Sequence, residues 1–291
     1  MKYLEERAAL LRIKECDLRL DALLECETSV DKGIHVGGAF SAIPPMAALY
    51  YGGMMDYDPR HPTDPGQDIF ILSKGHAVAA LAAVYADVGY ISREDLYHSR
   101  GYGALIKGHP GPVIPGVPVA TGPLGHGISI ACGYAWKRKT QGWGNVYCLV
   151  GDGELQEGSC WEGLLLAADK NLSNLCVIVD KNNGQSDNTK ALVVGLGDLR
   201  KKFEGLGYRV MDAWADEPES LLTALEIFGT KPQGAAPTAI ICHSIKGIGG
   251  VLDITGLHKT EMKGELLEKE RKAQEQKRDR FIARLNEFDR E

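Results

Sequence analysis

Two short apolar runs, Val146-Tyr147-Cys148-Leu149-Val150 and Leu175-Cys176-Val177-Ile178-Val179-Asp180, bracket an amphipathic segment at 157–170. Parallel strands need a crossover between them, usually a helix, so this stretch reads as a βαβ unit. The alternation returns along the chain, with strands expected at 68–72, 208–213 and 238–242 and helices at 77–88, 128–140, 198–206 and 217–228. The expected fold class is therefore α/β: a doubly wound, mostly parallel sheet with helices on both faces. Two apolar helical patterns, 4–26 and 40–51, come first, and a charged helix occupies 261–290. The mixed charges of that last helix read as a solvated face. No repeat, low-complexity tract or boundary divides the chain, so 1–291 is read as one domain.

A parallel sheet with helices on both faces needs a large apolar core. The chain supplies it, with 291 residues that are 44% hydrophobic and 25% charged. A formal net charge of −6 and the lack of a basic stripe interleaved with aromatics argue against a nucleic-acid partner. No apolar run reaches the length of a membrane span, and Met1-Lys2-Tyr3-Leu4-Glu5-Glu6-Arg7 lacks a signal peptide's apolar core. The seven cysteines form no Cys-x-x-Cys pair. Reduced, buried thiols in a cytoplasmic protein are the expectation, not a zinc site or disulfide framework.

Open α/β sheets bind ligands beyond the carboxyl ends of their strands. Gly151-Asp152-Gly153 and Lys181-Asn182-Asn183-Gly184-Gln185 follow the two central strands directly. Asp152 and Asn182 offer hard oxygen donors of the kind Mg²⁺ takes while keeping other positions for phosphate oxygens. Gly151 and Gly153 let backbone approach a diphosphate and are expected to leave N–H groups free to donate. Ser73-Lys74-Gly75-His76 follows the 68–72 strand and opens a helix, a second place suited to an anion or a hydroxyl. The long Gly- and Pro-rich stretch from Ser99 to Gly127, with His109, is of a length that is usually functional or disordered. His35 lies in a glycine-rich loop, where a side chain can face a cleft.

Gly151-Asp152-Gly153-Glu154-Leu155-Gln156-Glu157-Gly158-Ser159 followed by Asn182 resembles the thiamine diphosphate motif of transketolases. So do Ser73-Lys74-Gly75-His76, Gly108-His109-Pro110, Ala120-Thr121-Gly122-Pro123-Leu124-Gly125, and Lys246-Gly247 followed by His258. These motifs run in the family's order from about His35 to His258. The chain is short for a one-piece transketolase and resembles the N-terminal, diphosphate-binding subunit of a split one.

The resemblance implies thiamine diphosphate as cofactor, with Mg²⁺ (or Ca²⁺ or Mn²⁺ in its place) held by Asp152, the side-chain oxygen of Asn182 and a carbonyl near Gly184. It implies cofactor contacts from Lys74, His76, Gly122, Pro123, Leu124, Gly151, Asp152, Gly153, Glu154, Asn182, Gln185 and His258. His35, His76, His109 and His258 are the implied catalytic group around the donor sugar, with His35 and His258 candidates for moving the C3-hydroxyl proton. A neutral imidazole suits that task because its pKa lies near working pH. Glu157 is expected to face a subunit interface.

The implied reaction is transfer of a two-carbon ketol unit from a ketose to an aldose, with the cofactor as electron sink. The family's essential glutamate, which contacts the aminopyrimidine ring, comes from a second domain. The expected partner is therefore a C-terminal transketolase subunit carrying that glutamate, in an α2β2 heterotetramer, and this chain alone is expected to be inactive.

Three positions depart from the family's usual pattern. Gly33-Ile34-His35-Val36-Gly37-Gly38 stands where Gly-His-Pro is usual, and His126 stands where glutamine is usual. Asn182-Asn183-Gly184-Gln185 looks one residue shorter than some relatives. The first departure touches the donor pocket and opens the choice of sugar.

Other readings fit less well. The α subunit of a thiamine-dependent 2-oxoacid dehydrogenase would lack the Ser-Lys-Gly-His and Thr-Gly-Pro-Leu-Gly motifs. A non-catalytic or regulatory protein that kept the cofactor domain predicts no activity with any partner. A nicotinamide-binding Rossmann protein fails because no Gly-x-Gly-x-x-Gly follows the first strand.

Overall fold

Five strands pair in parallel in the computed structural model, which describes residues 2–28, 34–185, 194–232, 234–251 and 262–288. They are β1 (Ile69–Leu72), β2 (Val146–Gly151), β3 (Leu175–Lys181), β4 (Arg209–Trp214) and β5 (Thr238–His243), in the order β1-β2-β3-β5-β4. The register sets Val150 beside Val179 and Asp180 beside Cys242, so the carboxyl ends of β2, β3 and β5 finish together.

Alternate strand residues feed two separate cores, as a two-residue side-chain period requires. Tyr147, Leu149, Cys176, Ile178, Ile240 and Cys242 face one side. There they meet α1 (Lys2–Thr28), α2 (Val36–Tyr51), α3 (Val78–Val88) and, further along the chain, α8. Cys148, Val150, Val177, Val179, Ala239 and Ile241 face the other side. A short α4 (Glu94–Tyr97) precedes the helices packed there: α5 (Gly127–Gln141), α6 (Gly158–Asp169) and α7 (Leu199–Gly205). The last two helices are α8 (Pro218–Gly229) and α9 (Gly264–Phe288), and α9 runs against α1. Covering both faces is what makes β2, β3 and β5 read as unbroken apolar runs.

Two local expectations differ from what forms. Helix α2 begins at Val36 rather than Phe40, taking Gly37 and Gly38 into its first turn. Glycine disfavours a helix, but this helix is buried along nearly its whole length, and tertiary packing overrides the local preference. Helix α9 is also not solvated on every polar position: Glu270 and Gln274 are fully buried. No described helix is long and apolar enough to cross a membrane. All seven cysteines are buried free thiols.

Candidate active site

The carboxyl ends of β1, β2 and β3 open into a cleft of about 490 Å³. Three of the implied catalytic histidines, His35, His76 and His109, line it together with Asp152, Asn182 and Gly184. Of the implied cofactor contacts, Lys74, His76, Gly122, Leu124, Gly151, Asp152, Gly153, Glu154, Asn182 and Gln185 line it as well. Pro123 lies between two lining residues but is itself exposed and does not line it. His258 lies outside the described residues. His126 is exposed and caps the start of α5 without lining the cleft.

Asp152 ends β2 almost fully buried. Its Oδ1 accepts from the Gly153 N–H at 2.8 Å and its Oδ2 from the Asn183 N–H at 2.6 Å. The carboxylate thereby ties the end of β2 to the turn after β3. Burial, and then the neighbouring Asp180 charge, push the Asp152 carboxyl up to about 6. Asn182 is oriented within that turn. Its Nδ2 donates to Asp180 Oδ2 at 2.9 Å and to Ser41 Oγ at 3.3 Å, while its Oδ1 accepts from the Gly184 N–H at 2.9 Å. Asn183 takes a left-handed φ of 56°, which turns the chain back beneath Asp152.

Below the turn lies a buried polar layer. Lys74 and Asp180 form an ion pair through Nζ and Oδ2, and Ser41 Oγ donates to the same Asp180 oxygen at 2.7 Å. Asp180 Oδ1 is buried with no hydrogen-bond partner among the described residues. Lys246, just past the end of β5, is a buried ammonium in the cleft wall. Burial, reinforced by the Lys74 charge, brings its amine down to about 8. The two lysines stand against Asp152 and Asp180, so these side chains carry no surplus positive charge for a diphosphate.

That balance bears on which groups fit. One carboxylate and one amide oxygen on adjacent strand ends form a hard-donor pair suited to a divalent cation that keeps positions for phosphate oxygens. No group of three or more His, Cys, Asp or Glu that could hold a metal exists among the described residues.

The glycine N–H groups are not left free as the sequence suggested. Gly153 donates to Asp152, and Gly151 and Gly125 donate to the Glu154 carboxylate at 3.3 and 2.9 Å. Glu154, which also accepts from Ser73 Oγ at 2.5 Å, braces three loops around the cleft. Its carboxyl is raised by burial.

The histidines crowd one wall. The rings of His35 and His76 meet edge to face with centroids 5.6 Å apart. Gly38 makes this possible, since a Cβ there would stand 2.7 Å from His76 Cδ2. His109 approaches from the long loop, and burial, then the Arg100 charge, lower its imidazole. Glu157, exposed at the start of α6, lies on the rim beside Gly125.

Sequence reading gave no role to Ser41, Asp180 or Gln156, or to Lys246 beyond its motif. Lys246 had the available signal of standing three residues past a strand's carboxyl end. Gln156 reaches the site by donating to Gln185 Oε1 at 2.9 Å.

The sequence model of the family described as "Transketolase, thiamine diphosphate binding domain" matches residues 19–282. The chain belongs to that family. It is 35% identical over 220 residues to one subunit of the apulose-4-phosphate transketolase of Phocaeicola vulgatus, covering 75% of this chain and 77% of that one. It is 37% identical over 247 residues to the transketolase of Homo sapiens, covering 84% of this chain and 38% of that one. The crystal structure of transketolase from Campylobacter jejuni aligns with a TM-score of 0.78 at 26% identity, over 99% of this chain and 48% of that one. The chain thus spans less than half of the one-piece transketolases it matches and most of the Phocaeicola protein. The 2-oxoacid dehydrogenase alternative is not favoured, because these relatives bear transketolase names.

Proposed function

We propose that the chain is the diphosphate-binding half of a two-subunit transketolase, which moves a two-carbon ketol unit from a ketose to an aldose. The observation that carries this reading is one cleft holding Asp152 and Asn182 on adjacent strand ends opposite His35, His76 and His109. Thiamine diphosphate, when bound, supplies the nucleophilic carbon and the electron sink for breaking the ketose C2–C3 bond.

This chain's own residues hold and orient. Asp152, Asn182 Oδ1 and a carbonyl at Gly184 would hold Mg²⁺, which would offset diphosphate charge that the balanced lysine–aspartate pairs do not. Lys246 would face the diphosphate oxygens of a bound cofactor, and Leu124 offers an apolar surface at the mouth. His35, His76 and His109 bind the donor's hydroxyls, and an imidazole among them or His258 takes the proton from the C3 hydroxyl. That group must be neutral to accept the proton, and the lowered imidazole of His109 meets the condition near neutral pH.

The pyrimidine-binding side of the active site is assigned to a complementary subunit, in keeping with the name of the Phocaeicola relative, which makes it one subunit of its transketolase. The name of the Phocaeicola relative puts apulose 4-phosphate first in the panel of donor ketoses to be tried.

The test is to co-purify the chain with a complementary subunit, then supply thiamine diphosphate, Mg²⁺ and ketoses labelled at C1 and C2. Label appearing in a two-carbon-extended aldose is the expected result. Cofactor binding without label transfer from any ketose would overturn the reading.

A further inference from the structure

We infer that helix α9 sets the position of Lys246, through a buried grip by Gln274 and Glu270 on the turn that carries it. Residues 245–250 form two tight turns, with Ile248 N–H donating to Ile245 O at 3.0 Å and Gly250 N–H to Gly247 O at 3.1 Å. On the cleft side, Gly247 N–H donates to Gly37 O at 3.0 Å, beside His35 and Gly38. On the far side the turn is held only by side chains. Gln274 Nε2 donates to Gly249 O at 2.8 Å and to Glu270 Oε1 at 2.8 Å, Lys277 Nζ reaches the same Gly249 O at a longer 3.4 Å, and both Glu270 oxygens accept from Val251 N–H at 3.2 Å.

The placement of these groups argues for more than packing. Gln274 and Glu270 are 0% exposed on the face of α9 where Leu267 also packs. Gln274 Oε1 has no partner among the described residues. A half-satisfied buried amide costs stability that an aliphatic side chain there would not. What the amide adds is direction: it fixes the carbonyl three residues after Lys246. Arg19 of α1 closes the third side. A Cβ on Gly249, whose φ is +84°, would stand 2.2 Å from the Arg19 Cζ, so only glycine lets the turn seat there.

Lys246 is therefore pinned between Gly37 and α9, and the C-terminal helix, outside the cleft, acts on it as a positioning element. The inference rests on the reading of the cleft as a diphosphate site.

The test is a double-mutant cycle on the full chain assembled with its complementary subunit, read by calorimetry with Mg²⁺ and thiamine diphosphate and by melting temperature. Gln274→Leu keeps the volume and removes the shorter of the two hydrogen bonds to Gly249 O, leaving Lys277 at 3.4 Å. The expected result is cofactor affinity about tenfold weaker in a complex that still assembles and melts cooperatively. Lys246→Met weakens affinity too, and Gln274→Leu adds less than about twofold to it, because the two act as one unit. Wild-type affinity in Gln274→Leu overturns the inference, as does its full effect persisting in the Lys246→Met background. If Gln274→Leu prevents assembly, Glu270→Gln, which keeps an acceptor for Val251 N–H, replaces it with the same two readings. Full affinity in Lys246→Met would overturn the inference alone, whereas failure of the unmutated complex to bind the cofactor would overturn the reading of the cleft and the inference with it.

Discussion

Lys74 and Asp180 lie 106 positions apart in the sequence and form an ion pair in which neither side chain is more than 1% exposed. Charges so buried are stable only when every partner is in place. Ser41 and Asn182 add two more donors to Asp180 Oδ2, while its Oδ1 has none among the described residues. The pair thereby connects the end of β1, the middle of α2 and the turn that carries Asn182. A single layer of polar contacts beneath the cleft fixes the groups that line it.

Removing one partner should expose that dependence. Lys74→Met leaves Asp180 uncompensated and should lower folding stability by about 3–5 kcal/mol. Denaturant unfolding measures it, and a midpoint equal to that of the unmutated chain would show that the pair is not what holds the layer together.

Asp152→Ala should leave the fold intact and remove the one carboxylate proposed to bind the metal. Mn²⁺ affinity, followed by electron paramagnetic resonance, should fall at least about 100-fold. Retention of tight Mn²⁺ binding would move the metal to other ligands.

Gly38→Ala inserts a methyl 2.7 Å from the His76 ring. The ring must shift, and overpacking of this kind costs about 1–3 kcal/mol. Because the shift breaks the edge-to-face contact with His35, KM for the donor ketose should rise while cofactor affinity stays within about twofold. Unchanged KM would remove this wall from the donor pocket.

Glu25 gives a pH prediction away from the site. Burial raises its carboxyl from 4.5 to about 8, only partly opposed by Arg100. Between those values the folded chain holds a proton that the unfolded chain has lost, so stability falls as pH rises through that window. Glu25→Gln removes this slope. Its stabilisation relative to the unmutated chain should be under about 1 kcal/mol at pH 5 and reach a few kcal/mol, on the order of 1.4 kcal/mol per pH unit, by pH 7–8. Equal stability differences at pH 5 and pH 8 would contradict it.

The parallel sheet was legible because its central strands are buried on both faces and so are written as unbroken apolar runs, Val146–Val150 and Leu175–Val179. Asp152 and Asn182 were legible for a related reason: Asp152 is the first polar residue after its run, and Asn182 opens the Asn-Asn-Gly turn three positions past Val179. Asp180 was not. It reads as the last residue of a strand, and its partners Lys74 and Ser41 are brought to it only by the tertiary fold. The start of α2 was hidden behind Gly37 and Gly38, whose local signal is a turn although close packing against His76 is what calls for glycine at 38. The charged composition of α9 gave no sign that Glu270 and Gln274 turn inward, because a polar side chain gripping a backbone carbonyl looks the same in sequence as one facing water.

That the cleft holds a metal-bound diphosphate is tested most directly by titrating thiamine diphosphate, and separately thiamine, into the chain assembled with its complementary partner, with Mg²⁺ and with a chelator. Tight binding is predicted only for the diphosphate with metal, weakened by about 100-fold or more when either is withdrawn. Equal affinity for thiamine, or binding of thiamine diphosphate that ignores the chelator, would contradict it.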